Sequence, residues 1–293
     1  MASSARGNLG NKNPSKVIEY LREIDDHEAA DALAPAGGTG QAFGLNWGSE
    51  VWGHTGVLIG FIPPAPSNRL ASIENAAILP PDPSLKGSRI KISLEKFWVQ
   101  RYPGRGTHEI LCEFTGKNQA QGEQEEMQFA LKTEANDGAS AAVSGAPIFL
   151  GVTVGNNGIA FEGKTINVRS KTDEDLLSAL SSGTFREGLG LLTTVQPALK
   201  PFVGLASSVV TAVLKRSKNK QIHFFKLGLD FSASQTSVAL RHGSFAVIQA
   251  DDVNWDWSSI AWNVDAQQIV RKETGQAVGF NYLVFRVSPF EEQ

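Results

Sequence analysis

The residues best suited to chemistry in this sequence are its histidines and serines. The five histidines are His27, His54, His108, His223 and His242. No two of them have the His-x-x-x-His spacing that places two imidazoles beside one metal ion. No serine stands in a Gly-x-Ser-x-Gly turn, the setting of many hydrolase nucleophiles. Glu109 follows His108 in a strand-like segment, so the two side chains point to opposite faces. The sequence therefore assigns no catalytic residue and no metal ligand set.

Two further features bear on catalysis and cofactors. The glycine-rich stretch at 37–40 lacks the Gly-Lys-Ser/Thr ending of a phosphate-binding loop, so we interpret it as a linker and expect no cofactor. Cys112 lies in the strand-like segment 109–114 and is expected to be a buried small side chain. A hydrolase whose Ser-His-Asp triad assembles from distant residues stays open as an alternative, with no residue assigned to it.

Aspartates are concentrated around residues 251–265, beside three tryptophans. Loop carboxylates of this kind ligate calcium in lipid-binding C2-type domains, although EF-hand spacing is missing here. Calcium usually needs six or more oxygen ligands, and this segment offers few. We therefore expect a solvated loop or a strand edge whose tryptophans cover the core, with calcium binding as the weaker alternative. The candidate calcium ligands are Asp251, Asp252 and Asp256.

The same tryptophans give the sequence's best indication of a binding surface. Tryptophan is enriched where one side of the ring is buried and the other side meets a partner. Ordinary packing at the rim of the core is the competing interpretation, and we expect it to apply here. The candidate ligand or partner surface consists of Trp255, Trp257 and Trp262.

Composition limits the classes of protein and partner. The chain has 293 residues, 19% of them charged, and a net charge of −3, so we expect no nucleic-acid partner. A single cysteine excludes an intrachain disulfide. The first residues are polar, and no run of about 18 apolar residues would span a bilayer. These features together lead us to expect a cytoplasmic protein.

Short strands that alternate apolar and polar residues dominate the chain. They are clearest at 223–231, 244–249 and 280–287. Their spacing predicts an antiparallel β-sandwich, jelly-roll or C2-like, rather than a βαβ enzyme fold. A strand at 89–102 is expected to form a hairpin with a second strand at 108–115. Residues 116–126 are polar and are predicted to be a loop before a short strand, 127–131.

The N-terminal segment predicts one amphipathic helix over 14–33, capped by Asn13 and followed by a flexible link at 34–40. An isolated helix of this length is marginal in water, so it needs a docking surface. Because the link imposes no local docking, we expect that surface on another subunit or partner rather than on the chain itself. The expected interaction residues are Val17, Ile18, Leu21 and Ile24.

The strand pattern stops between Thr172 and Lys220, where helices are predicted. The last of them, 197–214, has an apolar stripe and is followed by basic residues, which suits either a helix covering the core or one lying on an acidic membrane. We expect the helix to cover the core. The membrane alternative would use Phe202, Val209, Val213, Lys215, Arg216 and Lys218.

These patterns divide the chain into four parts: an N-terminal arm (1–40), a first β part (41–171), a helical insertion (172–220) and a second β part (221–293). The leading functional hypothesis is a non-enzymatic protein that acts by protein binding or self-assembly as a homo-oligomer. One alternative is a membrane-associated effector that uses the amphipathic segment 187–220, with or without calcium-dependent lipid binding. The other is a hydrolase with a non-local triad.

Overall fold

A computed structural model describes residues 5–34, 50–120, 123–143, 145–169, 208–231, 238–251 and 254–291, with side chains at 117–120 and 123–126 left undescribed. The prediction of a mainly β protein is confirmed. In the described segments the strands are β1 (Val57–Ile62), β2 (Leu70–Ser72), β3 (Glu74–Asn75), β4 (Arg89–Val99), β5 (His108–Ala120), β6 (Glu123–Ala135), β7 (Ala139–Ser140), β8 (Ala146–Thr153), β9 (Gly158–Val168), β10 (Lys220–Asp230), β11 (Val238–Ala239), β12 (Gly243–Gln249), β13 (Ile260–Asn263), β14 (Gln268–Arg271) and β15 (Tyr282–Pro289).

The strands form three sheets. The central sheet has the order β3-β1-β12-β15-β4-β7, with β8 also paired to β4. The long-strand sheet has the order β11-β10-β9-β5-β6, and the small sheet has the order β14-β13-β2. Pairing is antiparallel except between β10 and β11. The first two sheets each combine strands from both predicted β parts of the chain.

Alternation along the central strands gives this sheet two apolar faces. Phe245 and Val247 of β12 belong to the core shared with the long-strand sheet. Ala246 and Ile248, between and after them, belong to a second core shared with the small sheet. Successive side chains in a strand point to opposite faces, so a strand with a continuous apolar run is buried on both sides.

Phe285 of β15 is the main aromatic link between the central and long-strand sheets. Its ring centroid lies 5.4 Å from Phe114, 5.1 Å from Phe161 and 5.5 Å from Phe225, one residue from each of β5, β9 and β10. These are the edge-to-face and tilted arrangements that aromatic rings prefer. The inner faces of the two sheets therefore meet through this group of rings.

Gly163 in the middle of β9 makes the close approach of these rings possible. It pairs with Phe114 on one side and Phe225 on the other. A Cβ atom at this position would lie 2.4 Å from the Phe225 ring and 2.8 Å from the Phe114 ring. Two phenylalanines of neighbouring strands thus cover the glycine from both sides, which explains why a strand interior tolerates it.

The N-terminal arm forms two helices instead of the single predicted one. Helix α1 (Pro14–Glu23) starts as expected, with the Asn13 side chain accepting a hydrogen bond from the Ser15 amide at 3.0 Å. The chain breaks at Asp25, whose φ of 62° lies in the left-handed region. Asp26 then caps helix α2 (His27–Leu33) by accepting from the Ala29 amide. The helical spacing of apolar residues continues across Asp25, so the sequence pattern does not reveal the break between the two helices.

A third helical segment, 208–214, stands at the end of the predicted insertion and is α3 below. Val209, Val210 and Val213 are buried in the same core as the two large sheets. The Asn219 side chain closes its C-terminal end by donating to the Val213 carbonyl at 2.9 Å. Among the helices of the described segments, none is long and apolar enough to cross a membrane.

Candidate interaction site

The three tryptophans border the second core. Trp255, Trp257 and Trp262 are half-buried and pack against the cluster shared by the central and small sheets. Trp255 contacts Phe280 with ring centroids 5.0 Å apart. The Trp257 ring lies over Gly60, where a Cβ atom would come within 2.5 Å of it. The rings therefore have a packing role at the rim of this core.

Two aspartates of this region accept hydrogen bonds from backbone amides. Asp251 accepts hydrogen bonds from the Thr55 and Gly56 amides, the former at 3.0 Å. Asp256 accepts from the Ser258 hydroxyl and, at 2.8 Å, from the Ser258 amide. The hydroxyl bond first, and then the amide bond, lower the pKa of Asp256. Asp252 lies outside the described residues. In the part of the chain that the structure describes, no group of three or more His, Cys, Asp or Glu side chains is placed to hold a metal ion.

Two histidines are paired with carboxylates, as a hydrolase base would be. The Nε2 atom of His108 lies 2.8 Å from Asp137, and its Nδ1 atom accepts from Arg169 at 2.7 Å. Both ring nitrogens are thus occupied, which leaves no position for a nucleophile. His54 Nδ1 lies 3.3 Å from Asp251. Within the described segments, no serine, threonine or cysteine side chain forms a hydrogen bond with His54.

The His108 pair belongs to a buried polar junction that fixes the N-terminal arm to the long-strand sheet. Asn167 of β9 donates to the Tyr20 hydroxyl at 3.1 Å and to the Pro103 carbonyl at 2.8 Å. The Gly104 amide donates to Asp26 at 2.8 Å. Burial raises the pKa of the Tyr20 hydroxyl, so this group stays neutral. These bonds join both helices of the arm to the 103–104 turn.

The apolar stripe of the arm lies in the chain's own core, in contrast to the expectation that it docks on another subunit. Val17 and Leu21 are fully buried, and Ile18 and Ile24 pack against the same cluster. The long-strand sheet supplies part of this surface, because Asn167 of β9 and Lys220 of β10 both contact the Tyr20 side chain. The stripe is therefore not a free interaction surface.

The membrane alternative for the segment around α3 is also not supported by the position of its apolar residues. Val209 and Val213 are buried in the main core, so they do not form a lipid-facing stripe. Lys215, Arg216 and Lys218 follow in an exposed turn. Phe202 lies outside the described residues.

The outer edge of β6 is a better candidate for an interaction site. This strand has 13 residues and closes one side of the long-strand sheet, with β5 as its partner. All 13 positions pair with β5 without a register shift. An edge strand presents unpaired backbone donors and acceptors, which makes it a template for a further strand.

The other long edge, β8, is disrupted in ways that β6 is not. It contains Pro147, and Gly151 has a φ of 68°. Its pairing with β4 shifts register twice. Proline and bulges are the usual means by which proteins block edge pairing. β11 and β3, at two residues each, and β2 and β14, at three and four, are short edges. β10 pairs with β11 only at Leu229 and Asp230, but its pairing with β9 shifts register between Gln221 and His223. In the described segments, β6 is thus a long edge strand whose pairing has no register shift.

Side chains on both faces of β6 hold it flat against β5. Met127 and Phe129 are buried toward the central sheet, and Phe129 stacks on Phe114 with centroids 6.3 Å apart. On the opposite face Gln128 donates to Glu113, and Lys132 Nζ lies 3.0 Å from Glu109. Contacts on both faces fix the strand's register, so its outer edge is preorganised for pairing.

Sequence reasoning placed only the middle of this strand. It predicted a strand at 127–131 and a loop at 116–126, whereas β5 continues to Ala120 and β6 begins at Glu123. The loop prediction is wrong because polar residues can extend a two-stranded ribbon when each strand supplies the other's hydrogen bonds. The only available signal was the near absence of glycine and proline between Lys117 and Ala135, with Gly122 as the exception.

No protein-family model matches this chain, and no curated protein or solved structure matches it.

Proposed function

We propose that this chain is a non-enzymatic β-sandwich protein that acts by pairing the free edge of β6 with a strand of another polypeptide, in the first place its own copies. The observation that carries the proposal is the 13-residue, unbulged and proline-free edge of β6. Strand addition of this kind derives affinity from main-chain hydrogen bonds and specificity from alternate side chains.

The sandwich part of the proposal rests on the shared core. Phe285 brings the central sheet against β5, β9 and β10 of the long-strand sheet. In such a sandwich the covered faces are rigid and the sheet edges are the remaining sites of backbone pairing. The arm and α3 pack into the core instead of presenting a free apolar face. Their core residues are Val17, Leu21, Val209 and Val213.

Size-exclusion chromatography with light scattering on the full chain tests this function. We expect a mass above the 31.5 kDa monomer that rises with protein concentration. A synthetic peptide with the sequence of residues 123–135 should compete for the edge and return the protein to 31.5 kDa plus the bound peptide.

A peptide of the same composition in scrambled order is the matched control and should leave the mass unchanged. If the protein is monomeric at every concentration and does not bind the 123–135 peptide, edge pairing is not its function. An assembly that the peptide leaves intact would show that a different surface joins the copies.

A further inference from the structure

We infer that the partner of β6 is the β6 strand of a second copy, paired antiparallel about a two-fold axis at Phe129. The inference rests on the proposed function and adds the partner and the register. Closed two-fold dimers are the commonest assemblies of identical chains, because one self-complementary patch satisfies both copies. The joined edges would merge two long-strand sheets into one continuous ten-stranded sheet, five strands from each copy.

Charge along the strand selects this register. With Phe129 opposite itself, Lys132 of each copy lies opposite position 126 of the other, which is a glutamate. Positions 123, 124 and 125 then lie opposite Ala135, Glu134 and Thr133, so no two like charges face each other. Opposite charges directly across a strand pair stabilise it, and like charges destabilise it.

Registers shifted by one or two residues do not pair Lys132 with Glu126. A shift of one residue brings Glu134 opposite either Glu123 or Glu125, and it also joins the core face of one copy to the outer face of the other. A shift of two residues brings Glu134 opposite Glu126 in one direction and leaves Lys132 opposite Gln124 in the other. The register centred on Phe129 pairs all 13 residues with two opposite-charge pairs and no repulsion.

The residues on the core face of β6 also favour a two-fold axis at Phe129. Phe225, Gly163, Phe114 and Phe129 form one cross-strand row on the inner face of the sheet. Phe129 is the β6 member of this row and is 5% exposed. Pairing about Phe129 would place the two Phe129 rings side by side and continue the row into the second copy. Aromatic cross-strand pairs are among the favourable neighbours in antiparallel sheets.

A charge exchange between Lys132 and Glu126 tests the register. Lys132→Glu and Glu126→Lys each convert two attractive pairs per dimer into two repulsive ones, and each should raise the dimer Kd about tenfold or more. The double variant restores two opposite-charge pairs and should recover most of the affinity. Lys226→Glu, an exposed change of the same charge on β10, is the control and should leave Kd unchanged.

Contacts within the chain cannot produce this rescue. Lys132 pairs with Glu109, so Lys132→Glu is unfavourable inside the monomer and the double variant retains that cost. Thermal unfolding identifies any variant that fails to fold. Single variants that dimerise like the wild type, or a folded double variant that stays weak, would overturn the register while leaving edge pairing intact. A wild-type chain that is monomeric and binds no edge peptide contradicts the function itself.

Discussion

At the residue scale, the histidine most affected by burial is His223, on the inner face of β10. Burial in the core lowers the pKa of His223 to about 4, although contacts with the Gly56 backbone and the nearby Asp251 carboxylate act in the opposite direction. Within the described residues its Nε2 atom has no hydrogen-bond partner, so a second proton there would be an uncompensated buried charge. His223 is therefore a neutral core residue rather than a catalytic base.

This depressed pKa gives a stability prediction with a defined pH range. The unfolded chain has a histidine pKa near 6.5, so it binds the proton before the folded chain does as the pH falls. Stability from neutral His223 is fully present above about pH 6.5 and is lost between there and about pH 4. Over that range the wild type should lose about 3 kcal/mol more than His223→Asn, which keeps a donor near Nδ1 and does not titrate.

Urea unfolding at pH 7 and pH 4 for both proteins measures this difference. Equal losses of the free energy of unfolding in the two proteins would mean that His223 is accessible to protons in the folded state.

Other residues show what sequence types alone could and could not reveal. Cys112 is fully buried, and burial raises the pKa of its thiol, so the predicted buried strand position is confirmed. The role of Asp251 was not predictable, because its partner amides lie in a distant part of the chain and are known only once the backbone is placed. Asp251 bonds Thr55, almost two hundred residues away in sequence.

At the element scale, the arm is the clearest case in which local pattern and tertiary packing diverge. Its cap and its first turns follow from Asn13 and Pro14 as predicted. Its docking surface does not follow from the sequence, because helical periodicity shows which face must be covered and not which part of the protein covers it. The buried junction of Tyr20, Asn167 and Asp26 explains why the arm stays on its own chain.

Truncating the stripe of α1 should therefore destabilise the whole chain. Leu21 is fully buried, so Leu21→Ala should lower the free energy of unfolding by about 3 kcal/mol through lost burial and a cavity. Glu19→Ala, an exposed change on the same helix, is the matched control and should alter it by less than about 0.5 kcal/mol. Chemical denaturation followed by tryptophan fluorescence provides the values. If Leu21→Ala behaves like the control, the arm does not belong to the cooperative core.

A second element-scale divergence concerns β4 and β5. Their sequence predicts a hairpin across the 103–106 turn, yet β4 pairs with β15 while β5 pairs with β6 and β9. The prediction is wrong because alternation identifies strands without identifying their neighbours. Tyr102 explains the crossing: its buried hydroxyl lies 2.6 Å from Thr165 of β9, which holds the connection between the two sheets.

At the scale of the whole molecule, the mainly β class followed from strand spacing, whereas the sheet arrangement required long-range pairing. β1 pairs with β12 almost two hundred residues later, and the two large sheets both mix early and late strands. The edge position of β6 is a property of this global arrangement. No local pattern distinguishes an edge strand with polar outer residues from a central one, so the candidate site could not be located from the sequence.

Amide hydrogen exchange along β6, measured at low and high protein concentration, tests edge pairing most directly. In a monomer the amides that point toward β5 are protected and those that point outward exchange rapidly, which gives an alternating pattern over the strand. We predict that the outward amides of residues 123–135 become protected as concentration rises, while the short β11 edge at Val238–Ala239 does not change. If the protein assembles and the alternating pattern of β6 persists, the free edge of β6 is not where this chain meets its partner.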